Sequence, residues 1–253
     1  FCLSRGLGDV YKRQPSAPTI WAKDNEGNPI EIDTQVANRV IGISYRWMTI
    51  ALMISALVSY VFAELNLIEA FFSIPFINWV LIGAQIGLVI WISRAIHSAD
   101  INVLRGLMAL YAATVGITLS FYTLIFTSES MVNVFFSTAL LFGGCTAYGY
   151  FTKKNIQGWI GWLMPALIGI IIASVVNYFL QSDMITYIMS WIGVVVFAGL
   201  AAYDTHKILI MSSMAQTEDD EQRIGLMGAL ELYLDFINLF IMLLRPVSYT
   251  HLT

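Results

Sequence analysis

Charge is what this chain has least of. Only 12% of its 253 residues are Asp, Glu, Lys or Arg, where a soluble domain carries about a quarter. The shortage is also uneven, because the charges cluster and leave long gaps, which excludes an ordinary water-soluble domain. There are two cysteines, Cys2 and Cys145. Cys145 sits inside an apolar run as a small filler, so a disulfide framework is excluded. The three histidines, His97, His206 and His251, are scattered. With no HExxH and no glycine-rich phosphate loop, metalloprotease and nucleotide chemistry have no foothold. The last apolar segment has no lysine for a retinal Schiff base. The expectation is a protein that is not an enzyme, holds no cofactor and binds no nucleic acid.

What the chain has instead is apolar length, with 58% apolar residues and a mean hydropathy of +0.72. Six stretches carry no Asp, Glu, Lys or Arg: Trp47 to Ala63, Ala70 to Ser93, Gly106 to Ser128, Ser130 to Thr152, Asn155 to Ser182 and Met184 to Tyr203. About 20 helical residues at about 1.5 Å each span the hydrocarbon, and five of the six reach that length. Tyr45 and a snorkelling Arg46 extend the first. A seventh segment, Ile224 to Leu244, is interrupted by Glu231 and Asp235. The predicted fold is therefore an all-α integral membrane protein of seven transmembrane helices in the lipid bilayer, residues 41–245, with short loops and antiparallel neighbours.

Sidedness follows from Lys and Arg. Lys23, Arg39 and Arg46 precede or begin the first helix, and Arg94, Arg105, Lys153, Lys154, Lys207 and Arg223 fall in the even-numbered loops, while loops one, three and five hold none. The positive-inside rule then places the N-terminus in the cytoplasm and, after seven crossings, the C-terminus outside. Arg245 there is accommodated if the last segment re-enters. Residues 15–40 are polar and read as a flexible cytoplasmic arm. The two ends, FCLSRGLGDVYKRQ and PVSYTHLT, resemble translated sequencing-adapter DNA, so residues 1–14 and 246–253 are expected to be artefacts outside the fold. The run Glu218, Asp219, Asp220 and Glu221 reads as a solvated turn or an ion-attracting vestibule. Small residues (Gly143, Gly144 and Ala147, Gly158, Gly161 and Ala166, Gly193, Ala198 and Ala202) are expected to let helices approach closely.

Two segments stand out chemically, AAYDTHKI and LELYLDFINLF. Asp235 lies mid-segment, with Glu231 four residues earlier on the same helical face and Asn238 close to that face. Carboxylates at that depth cost several kcal/mol unless paired, protonated or hydrated, and so face a bundle interior or a water cavity. Asp235 also fits a helix-pairing role and Glu231 a snorkelling one. Asp204 is explained equally by an interfacial position. Arg94 is either a positive-inside anchor or a counter-charge to these acids.

AAYDTHKI at 201–208 and LYLDFINLF with LLR at 232–245 resemble the C-terminal signature of the Bax inhibitor-1 (transmembrane BAX inhibitor motif) family. GITLSF at 116–121 and YGYFTKKN at 148–155 are similar to its third and fourth helices. The resemblance spans roughly residues 35–245. It implies six helices surrounding a central seventh and a pH-sensitive, calcium-permeable leak. In bacterial members two aspartates share a proton as a hydrogen-bonded gate, and the motifs put these at Asp204 and Asp235, with Arg94 as the arginine that pairs with the first. Glu231 is outside the family pattern. Two carboxylates held close cannot both ionise cheaply, so protonation of such a pair responds to pH nearer neutrality than that of an isolated acid. Calcium prefers oxygen ligands, which makes Asp204 and Asp235 a transient metal site as well. The resemblance also implies a different class of function, a regulator bound to a membrane AAA protease through the N-terminal arm. Proton-coupled transport of a small solute uses buried acids equally well. All three place the protein in a bacterial inner membrane.

Overall fold

The computed structural model of the chain describes the backbone of residues 19–23 and 29–250, and the side chains of 32–246. Seven helices are long and apolar enough to cross a membrane: α1 (Thr34–Glu64), α3 (Ile77–Ala95), α4 (Ile101–Ser120), α5 (Ser128–Phe151), α6 (Ile160–Leu180), α7 (Asp183–Ser212) and α8 (Glu218–Thr250). A short α2 (Leu67–Phe72) lies in the first connection, over part of what the sequence assigned to the second span. The protein is an all-α integral membrane bundle.

The described residues of the span 15–40 hold regular structure. Within them Thr19–Lys23 (β1) pairs antiparallel with Pro29–Asp33 (β2), Trp21 opposite Glu31. Asp33 then caps α1 by accepting from Gln35 N at 2.7 Å, so the first helix starts well before the apolar run at Trp47. Ile32 is fully buried against Ala37, Leu209 and Ile210, which seats the hairpin on α1 and α7. The expectation for residues 1–14 lies outside the described residues, as does that for 251–253. The backbone of α8 runs on through 246–250.

The helices alternate in direction, and cross-links at the hairpin end show which termini meet. Arg39 forks onto Glu221 with contacts of 2.8 and 2.7 Å. Arg105 reaches Gln222, and Arg223 donates to the carbonyls of Ile96 and Ala99 at the end of α3, where helix carbonyls lack partners of their own. The first turn of α8 is thus tied to α1, α3 and α4. Glu218–Glu221 is this helix start, with Glu218 and Asp219 exposed as expected and Glu221 buried against Arg39. Asp220 accepts from Thr217 N and Oγ1, while Thr217 Oγ1 accepts from Asp220 N, a reciprocal cap.

Helix α8 is the centre of the bundle. In its apolar stretch 67% of residues are buried, against 11% in α6, and it lies against α7, α1, α5 and α4. Between helices in lipid, packing replaces the hydrophobic effect as the main attraction, so small residues at crossings matter. Of the expected crossings, Gly193 is one, where a Cβ would meet the Met242 side chain of α8, and Ala202 lies at another; the other four expected glycines are not. A Cβ on Gly143, Gly144, Gly158 or Gly161 would meet open space. At Gly149 it would collide with the Ala202 carbonyl, and at Gly228 with Ile208 and Ser44. Gly149 brings α5 onto α7, and Gly228 brings α8 onto α7 and α1, which sets the spacing of the helices that carry the acids.

Candidate functional site

The α7–α8 hairpin puts its charged side chains in two layers. From Asp204 to Lys207 the chain steps three residues toward the connecting turn, and from Asp235 back to Glu231 it steps four. In an antiparallel pair those steps bring Asp204 level with Asp235 and Lys207 level with Glu231. The structure has this arrangement. Lys207 Nζ donates to Glu231 Oε1 at 2.5 Å, and the carboxyl groups of Asp204 and Asp235 stand within hydrogen-bonding reach of each other.

Asp235 is only 5% exposed, and its Oδ2 has no donor among the described residues. Two fully ionised carboxylates offer each other no hydrogen, so a buried oxygen would be left unsatisfied at a cost of several kcal/mol. A proton held between Asp204 and Asp235 removes that cost. Lys207 and Glu231 offset one another electrostatically in the adjacent layer.

These groups form the floor of a cavity of about 880 Å³ between α3, α4, α6, α7 and α8. Asp204, Lys207, Glu231, Asp235 and Asn238 all line it. Asn238 donates Nδ2 to the Leu234 carbonyl at 2.8 Å, within its own helix. Gln85 from α3 also faces the cavity and holds α3 to α4 through Thr118 Oγ1 at 2.8 Å.

Among the described residues, no group of three or more His, Cys, Asp or Glu is arranged to hold a metal ion. Glu231 is held by Lys207, which leaves Asp204 and Asp235 as the two carboxyl groups that face each other. Arg94 is not paired with them in this structure. It is exposed at the end of α3, makes no ion pair among the described residues and is not in the cavity wall. The cation beside the acids is Lys207, which lies within α7 and not in a loop. The signal was present, since Lys207 is one helical turn from Asp204 on the same face. His206, two residues from Asp204, points elsewhere, with Nδ1 3.2 Å from the Gly149 carbonyl.

The family model described as inhibitor of apoptosis-promoting Bax1 matches residues 37–249. The chain belongs to the Bax inhibitor-1 family. Among its relatives, the inner membrane protein YbhL of Escherichia coli strain K12 is 42% identical over 207 residues, covering 79% of this chain and 87% of YbhL. A protein of Borreliella burgdorferi is 39% identical over 214 residues, 83% of this chain and 91% of its own. YrjE of Lactococcus lactis is 34% identical over 211 residues, with 79% and 86% covered. The Bax inhibitor-1 match includes both acid-bearing helices and α1 from Ala37, and it begins downstream of the β-hairpin.

Proposed function

We propose that this Bax inhibitor-1 family member is a pH-sensitive, calcium-permeable leak of the inner membrane, gated by Asp204 and Asp235. The observation that carries the reading is the Asp235 carboxyl, buried at the floor of the cavity, lacking a donor for Oδ2 and within reach of Asp204. With one proton between them the acids bond and tie α7 to α8. Loss of that proton leaves two adjacent anions, which repel and present oxygen ligands to a hard cation. Protonation is favoured as pH falls, so the bonded pair is the low-pH, closed form and flux rises with pH.

The inner-membrane placement draws on the name of YbhL, and the basic hairpin end is assigned to the cytoplasm by the positive-inside rule. Purified protein in liposomes containing a calcium indicator tests the function. Wild type is expected to pass calcium, and Asp235→Asn to lose most of the pH dependence. Calcium entry no faster than into protein-free liposomes at any pH would rule the leak out.

A further inference from the structure

Helix α8 borders a second cavity on the face opposite its acids. It measures about 520 Å³ and lies between α8, the second half of α1 and the start of α5, reaching the end of the bundle away from the β-hairpin, where exposed Glu64 and Ser128 rim it. That volume lies in the range of about 300–1,000 Å³ of pockets that hold drug-sized molecules. Aromatic rings make up much of the wall. Phe236 and Phe240 are buried at the back, Phe135 stands edge to face against both with ring centroids 5.5 and 6.5 Å away, and Phe136 follows 6.0 Å further out. Tyr60 of α1 completes the wall, and it is exposed.

One polar group inside this wall lacks a partner. Ser44, Thr49 and Ser55 of α1 each donate to the carbonyl four residues back, the ordinary outlet for a helical hydroxyl. Ser59, one turn beyond Ser55, does not. It is only 7% exposed and has no hydrogen-bond partner among the described residues, yet its Oγ is not sealed inside the protein, so the free hydroxyl is open to the cavity. A hydroxyl held out of water without a partner is costly, and an acceptor brought to it recovers that cost. Among the described residues that line the cavity, Glu64 is the one charged side chain, and it lies exposed at the rim. Nothing deeper would balance an ionised ligand. We propose that this cavity binds an uncharged aromatic molecule carrying a carbonyl oxygen. Ser59 Oγ donates to that oxygen, and the ring lies against Phe135 and Phe240. A flat ring extends the edge-to-face set, and such pairs attract beyond the area that they bury, which a flexible hydrocarbon chain does not match.

The assignment rests neither on the acid pair nor on ion flux. The whole chain in phosphatidylcholine nanodiscs is titrated calorimetrically with 2-acetylnaphthalene and with 2-isopropylnaphthalene, which has the same outline without the oxygen, against empty discs. The ketone is expected to bind saturably at one site per chain, about three- to tenfold more tightly than the hydrocarbon, the worth of one neutral hydrogen bond. Ser59→Ala should erase that difference by weakening the ketone alone. Ala56→Phe, which adds a ring to the cavity wall, should reduce uptake of both compounds to that of empty discs. Should that variant fail to fold, the comparison of wild type with Ser59→Ala decides. Ketone uptake by the wild type equal to that of empty discs overturns the proposal, and a bilayer lipid that already fills the cavity would give this result. Equal ketone affinity in wild type and Ser59→Ala overturns it as well, as does a hydrocarbon that binds as tightly as the ketone.

Discussion

Ser55 shows how a single hydroxyl can anchor the central helix. Its Oγ lies 2.6 Å from the Tyr233 hydroxyl and 2.7 Å from the Ala112 carbonyl, both contacts buried, so one side chain of α1 connects α8 and α4. The two obvious deletions are not equivalent. Ser55→Ala leaves the fully buried Tyr233 hydroxyl without its partner and should cost about 1–3 kcal/mol, whereas Tyr233→Phe leaves Ser55 still donating to Ala112 and should cost about 1 kcal/mol or less. Equilibrium unfolding in detergent micelles checks the order. A similar asymmetry applies to Lys207 and Glu231, whose side chains are 35% and 18% exposed. Lys207→Gln strands a mostly buried carboxylate and is expected to destabilise by about 1–3 kcal/mol, between the values for exposed and fully buried pairs. Adding Glu231→Gln should restore most of the loss, and a double-mutant cycle measures the coupling.

Helix contacts explain which parts of the bundle could be read in advance. Gly149→Ala forces a methyl group into the Ala202 carbonyl and should cost about 1–3 kcal/mol, with α5 pushed off α7. Gly143→Ala, in the same helix but facing open space, should be neutral or stabilising by up to about 1 kcal/mol through helix propensity. Thermal unfolding of the two variants side by side separates a packing glycine from a bystander. Sequence spacing alone favoured Gly143 and Gly144, because a small residue's use depends on which neighbour crosses there. Helix ends were hidden for a related reason. Gaps between charges mark the hydrocarbon-crossing portions, but α1 begins at Thr34 and α7 runs on to Ser212 through charged residues. Those charges are held by other helices, Arg39 by Glu221 and Lys207 by Glu231. Asp235 was legible because a carboxylate deep in an apolar segment needs a reason. Asp204, near a helix end by sequence, became notable only through the family motif and then through its position opposite Asp235.

At the scale of the whole molecule, lysine and arginine are unevenly placed. The hairpin end carries Arg39, Arg94, Arg105, Lys153, Lys154, Lys207 and Arg223 together with the acids Asp33, Asp100 and Glu218 to Glu221. The opposite connections carry Glu64, Glu69, Glu129 and Asp183 and no Lys or Arg, so the asymmetry is one of basic residues. If the basic end is cytoplasmic, a cysteine placed at exposed Ser213 should react with a membrane-impermeant thiol reagent only from the cytoplasmic side. One placed at exposed Ser128 should react only from outside. The opposite labelling pattern would invert the assigned orientation. The cavity is lined by five helices, while its acids come only from α7 and α8, so a change in one proton acts on the best-packed contact in the bundle. The deciding measurement is calcium entry into liposomes across a pH series, for wild type and for Asp204→Asn/Asp235→Asn. Wild-type flux should rise with pH as the shared proton is lost, and the double variant should show a flat profile. Identical profiles for the two proteins would contradict the gate.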